Sequence, residues 1–154
     1  MGRVGRGASC PACRLCCVIL IGWMMLFGVS SQVRGDEGTS HRVVMHLNAD
    51  DENVQRGLLG NIKNLYEAVG RDSLRVEVVA HGPGLKLLTK KDSTLSAEVA
   101  ELKTRFGVEF TACSNTMKKM GVQREDLIDQ VDRTVPAMVR LMELQEQGWA
   151  YIKP

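Results

Sequence analysis

Between residues 42 and 152 the apolar residues switch repeatedly between two patterns, and this alternation narrows the possible folds more than any other feature. One pattern is a short β-branched run, as in "RVVMHLN", "LRVEVVA", "VEFTA", "DRTV" and "WAYI". The other is one-sided spacing at three and four residues. It occurs in "DDENVQRGLLGNIKNLYEAVG", where Val54, Leu58, Leu59, Ile62, Leu65, Tyr66 and Val69 share a face, and in "STLSAEVAELKTRFG", where Leu95, Val99, Leu102 and Phe106 do. "SNTMKKMG" predicts a short helix, "REDLIDQV" another turn or two, and "PAMVRLMELQEQG" a last helix with Pro136 at its first position. Strands separated by helices with short connections must run parallel, because a parallel pair needs a crossover. The expectation is an α/β fold: a five-stranded, mostly parallel sheet with helices on both faces.

In such folds ligands bind beyond the carboxyl ends of the strands. The residues predicted there are Asn48, Asp50 and Asp51 after the first strand, His81 and the Gly82-Pro83-Gly84 loop after the second, and Cys113 after the third.

The chain before this domain reads differently. Residues 1–35 hold four of the 20 basic residues and no acid, which leaves 16 basic against 18 acidic residues in 36–154. Arg3, Arg6 and Arg14 precede an uncharged stretch, Leu15 to Val33, whose apolar centre is Val18 to Val29. A basic start, a short apolar centre and small residues after it describe a secretory signal peptide, with cleavage after Ser31 or Gly35. The alternative is an uncleaved membrane anchor over residues 15–33. Either way residues 36–154 are expected outside the cytoplasm, in the periplasm or a comparable exported location. If the signal is cleaved, no stable membrane contact remains.

Four of the five cysteines lie in that leader: Cys10, Cys13, Cys16 and Cys17. Cys10 and Cys13 form a C-x-x-C pair. No βαβ unit surrounds it, however, and Arg14 stands where a haem attachment motif would need His. Once the leader is removed, Cys113 is the single thiol and an internal disulfide is excluded. The domain carries no basic stripe interleaved with aromatics, and aromatics are 5% of the chain, which speaks against a nucleic-acid partner. Phosphate-loop, dinucleotide-binding and nucleophile-elbow motifs are missing from the sequence. No two histidines have a metal-binding spacing on one helix, so neither metal nor organic cofactor is expected.

Cys113 is the leading candidate for chemistry. At the start of a helix, free N–H groups and the helix dipole favour thiolate over thiol. Ser114 and Asn115 are placed to cap that helix or to hydrogen-bond a bound anion, and Lys118 and Lys119 follow. His81 is positioned to tune the thiolate or bind a ligand, whereas His46, inside a strand, reads as structural. Met117, Met120, Met138 and Met142 read as core filling. The competing reading of Cys113 is a small buried apolar side chain.

Four stretches in this order carry a resemblance: "HRVVMHLNAD", "VVAHGPGLKLL", "FTACSNTMKKMGV" and "VRLMELQEQGWAYIKP". Over residues 41–154 the chain resembles the DsrE/DsrF-like family of small sulfur-relay proteins. The resemblance implies a DsrE/YchN-like parallel α/β sheet and homo-oligomers, trimers or hexamers, with the cysteine near subunit contacts. It also implies a persulfide on the matching cysteine, Cys113, that is passed to a partner protein. The reading is therefore an exported sulfur carrier or sulfurtransferase-like protein, with a sulfur donor or acceptor protein as partner. The alternative is a non-catalytic oligomeric binding or scaffold protein in which Cys113 is inert or redox-sensing.

Overall fold

The computed structural model describes residues 40–154. The expected signal or anchor and the Cys10–Cys13 pair lie outside the described residues. Five strands, β1 (His41–Leu47), β2 (Leu74–Ala80), β3 (Glu109–Cys113), β4 (Arg133–Val135) and β5 (Ala150–Ile152), alternate with four α-helices. The helices are α1 (Glu52–Val69), α2 (Ser96–Phe106), α3 (Ser114–Met120) and α4 (Ala137–Glu146). The strand order is β4-β3-β2-β1-β5. All four pairings are parallel, so the fold is the α/β class that the alternation predicts. Both border strands, β4 and β5, are three residues long. None of the helices among the described residues is long and apolar enough to cross a membrane.

Successive strand residues point to opposite faces, so each strand serves two interiors. Val43, Met45 and Leu47 of β1, Val76 and Val78 of β2, and Phe110 and Ala112 of β3 pack with Leu58, Leu59 and Ile62 of α1 and with Val99 and Leu102 of α2. The alternate residues Val44, Val79 and Cys113 pack with Ala137, Leu141 and Leu144 of α4, and Trp149 closes that smaller cluster.

Local signals explain the element ends. The Asp51 carboxylate accepts from the N–H of Asn53 (2.8 Å) and of Val54 (3.1 Å), which caps α1. Gly121 ends α3 with φ 68°, a left-handed conformation that suits glycine.

Three details depart from the sequence reading. The segment after His81 is not an open loop but a 3-10 helix, Gly82–Leu88, with Leu85, Leu87 and Leu88 buried. It packs so closely on β1 that a Cβ at Gly84 would stand 2.6 Å from the Leu47 carbonyl oxygen. Pro136 is the N-cap of α4 rather than its first helical residue. Of the four methionines, only Met117 is buried. Met120, at the end of α3, is 41% exposed, and Met138 and Met142 of α4 are 57% and 51% exposed, because among the described residues no further layer covers the outer side of α4.

Candidate functional site

Cys113 is the last residue of β3 and the N-cap of α3. Its neighbour across the sheet is Val135 of β4. One residue further, Pro136 turns the chain into α4, and this carries the start of that helix over the cysteine. Pro136 has no N–H to give, so Ala137 supplies the first free donor of α4. That N–H points at the Cys113 sulfur, with N and Sγ 3.4 Å apart. The backbone N–H groups of Asn115 and Thr116 and the Thr116 hydroxyl lie around the sulfur and favour its thiolate. The Thr116 oxygen in turn accepts from the Gly82 N–H at 2.9 Å, which leaves the hydroxyl proton free for the sulfur.

Two effects oppose each other at this thiol. Cys113 is only 5% exposed, and its burial favours the neutral form and is the largest single influence. Hydrogen bonds from the Thr116 side chain and from the Ala137, Thr116 and Asn115 backbones act the other way and prevail, so the thiol titrates below its ordinary range.

The other strand ends complete the surroundings. The β2–β3 register pairs Ala80 with Ala112, so His81 stands at the level of Cys113 on the same face. The His81 ring stacks on His46, with centroids 4.7 Å apart and planes 22° from parallel. His46 Nδ1 lies 2.5 Å from the Tyr151 hydroxyl. The Nε2 atoms of both histidines are buried and have no partner among the described residues. Burial, the His81 charge and the Lys153 charge together lower the His46 pKa to about 4. Burial and then Lys153 also lower that of His81. Both rings are therefore neutral imidazoles at neutral pH.

Two hollows flank this row. One, of ≈ 450 Å³, is lined by His81, Pro83, Lys86, Thr116, Lys119 and Met120. In it Lys86 is held by Asp50 at 2.8 Å. The other, of ≈ 410 Å³, lies along α4 and β5 and is lined by His46, Met138, Leu141, Met142, Gln145 and Tyr151.

The register thus sets His81 and Cys113 at neighbouring strand ends on one face but gives different roles to the other predicted residues. No side-chain hydrogen bond caps α3. Ser114 is half-buried and Asn115 is exposed, and Asn115 reaches the sulfur through its backbone N–H instead. Asn48 is half-buried just past β1, two residues after His46. The sequence reading passed over Thr116, Ala137 and the participation of His46 with Tyr151. Thr116 is legible as the third residue after the thiol, within the first turn of α3. Ala137 is not legible without the pairing of β3 with β4.

A second polar group on this face was also missed. Glu77, in the middle of β2, is fully buried. Arg140 of α4 holds it at 2.9 and 2.6 Å, Arg133 at 2.9 Å and the Thr111 hydroxyl at 2.7 Å. These partners outweigh its burial and keep its carboxyl below the usual range. A charge inside "VEVVA" is itself a signal, since acids are almost never fully buried unless paired. Among the described residues no group of three or more His, Cys, Asp and Glu is placed to hold a metal ion.

A model of the DsrE/DsrF-like family matches residues 42–154. A solved structure of a protein of unknown function, MTH1491 from Methanobacterium thermoautotrophicum, is 38% identical; the match spans 75% of this chain and 100% of that one, with a TM-score of 0.69. Another, of the protein of unknown function BT1422 from Bacteroides thetaiotaomicron, has 18% identity, spans 73% and 93% of the two chains, and reaches a TM-score of 0.55, a likeness of fold. No curated protein matches the chain.

Proposed function

The chain belongs to the DsrE/DsrF-like family, and from that premise we propose that it is an exported sulfur carrier that holds a persulfide on Cys113 and passes the sulfur to a partner. The Cys113 thiolate attacks the terminal sulfur of a hydropersulfide donor, R–S–SH. A bond forms between Sγ and that sulfur, the donor S–S bond breaks, and its electron pair leaves on R–S⁻. The product is Cys113–S–SH. An acceptor thiolate then attacks the outer sulfur, and Cys113 departs as thiolate. The cycle needs the ionised form of Cys113 twice, as nucleophile in the first half and as leaving group in the second.

One observation carries this reading: the Ala137 N–H at the start of α4 points at a single buried sulfur 3.4 Å away, in surroundings that favour the thiolate. An inert packing cysteine needs neither. The unpartnered Nε2 atoms of His46 and His81 offer hydrogen-bonding capacity to a bound substrate on the same face. For a partner, the exposed Met138, Val139 and Met142 of α4 and Tyr151 and Ile152 of β5 supply an apolar surface, which we assign to contact between copies in a homo-oligomer.

The test is to treat the protein with polysulfide or thiosulfate and weigh it intact. A gain of ~32 Da, one sulfur atom, that disappears in Cys113→Ala supports the carrier. The burial of the thiol favours the scaffold reading instead, and the result for that reading is no adduct together with sluggish alkylation of the native thiol. Sequencing the mature N-terminus tests export: a start between Gln32 and Glu37 is the expected outcome.

A further inference from the structure

The buried carboxylate under α4 makes poor sense as a stabiliser. Replacing a buried ion-pair cluster by apolar residues of similar volume is often neutral or stabilising, and the surrounding face already contains Val44, Val79, Leu141 and Leu144. What the cluster supplies is position. Arg140 grips Glu77 with two nitrogens, Nε on Oε1 at 2.9 Å and Nη2 on Oε2 at 2.6 Å. Such a fork fixes both the distance and the rotation of the guanidinium. Thr111 of β3 and Arg133 of β4 hold the same carboxylate from the neighbouring strands. Arg133 also reaches Glu109 at 2.7 Å, and Arg140 comes within 3.9 Å of Glu143, so three acids share two guanidinium groups.

Arg140 lies one turn after Ala137, and its own N–H donates to the Pro136 carbonyl at 3.0 Å. The first turn of α4 is therefore tied to three strands at one point. We propose that Glu77 and Arg140 are positioning residues for the thiolate: their forked ion pair sets where α4 begins and so keeps the Ala137 N–H on the Cys113 sulfur. Apolar contacts tolerate small sliding and repacking, whereas a hydrogen bond to sulfur does not. The inference deepens the carrier reading and rests on it, since position matters only if the thiolate reacts.

The experiment follows alkylation of Cys113 in the full-length protein against pH, quantified on the tryptic peptide Phe106–Lys118, whose only cysteine is Cys113. It needs no sulfur donor, so its failure is separable from a failure to form persulfide. Arg140→Lys keeps the charge and loses the fork. The midpoint of its alkylation profile is expected to move up by about one pH unit. Greater access to the sulfur would scale the rate at every pH and leave the midpoint in place. A double variant, Glu77→Met with Arg140→Leu, removes the cluster and leaves apolar packing. It is expected to melt no lower than the parent while its midpoint rises as in Arg140→Lys. An unmoved midpoint in Arg140→Lys, or in a folded double variant, overturns the proposal.

Discussion

The two faces of the sheet are built from alternate residues of the same strands, yet they solve different problems. Facing α1 and α2, β1, β2 and β3 place Val43, Met45, Val76, Val78, Phe110 and Ala112 in an interior without buried charge. Facing α4, the intervening residues are Val44, His46, Glu77, Val79, Thr111 and Cys113, half of them polar or ionisable beside the thiol. The first face is held by area and volume, which tolerate many sequences. The second is held by groups that must each find a partner, which few arrangements satisfy. Apolar packing and polar pairing are thus divided by the pleat of the sheet rather than by region of the chain.

Substitutions on one face should leave the property of the other unmoved, and the contrast is sharpest where the expected effect is largest. Phe110→Ala empties a fully buried site on the α1/α2 face. It is expected to cost about 3–5 kcal/mol in urea unfolding while leaving the Cys113 alkylation midpoint where it was; a shifted midpoint would break the division.

Next comes acid. His46 takes up its proton only near pH 4 in the folded chain, but at its ordinary value once unfolded. The unfolded state therefore binds more protons between about pH 6.5 and 4, and stability is full above that window and lost on descending through it. From pH 7 to pH 5 this amounts to about 2 kcal/mol. In His46→Gln the corresponding slope should flatten, as read by denaturant midpoints at the two pH values.

Thr116→Val is smaller still in stability but acts directly on the site. It removes the hydroxyl from the sulfur and is expected to raise the thiol midpoint by about one unit, about 1.4 kcal/mol, measured by the alkylation profile. Asn115→Ala should do least. The side chain is exposed and the backbone N–H that serves the sulfur survives, so both stability and midpoint should stay within about 0.5 kcal/mol of the parent.

The first face is the one a sequence displays. Apolar spacing placed α1 and α2 and the strands opposite them, because burial there depends on side-chain type alone. The thiol was legible for a related reason: a short β-branched run followed at once by polar residues and a helical stretch marks a strand end wherever it falls. The second face was less legible because its contacts join residues far apart in the chain. Ala137 meets Cys113 only after β3 and β4 pair, and Arg140 meets Glu77 across 63 positions. Met138 and Met142 misled for the converse reason. Their helical spacing is that of a core stripe, and only the lack of an outer layer over α4 among the described residues reveals that they are exposed.

The sheet's two borders have a consequence for what can be added to it. β4 and β5 each expose only three residues' worth of main chain, and β5 runs straight into Lys153 and Pro154. An incoming strand finds too short a ladder to zip onto, and a proline where the next rung would stand. Both margins of the described sheet are therefore poor templates for an added strand, and the five-stranded width is set by the chain itself.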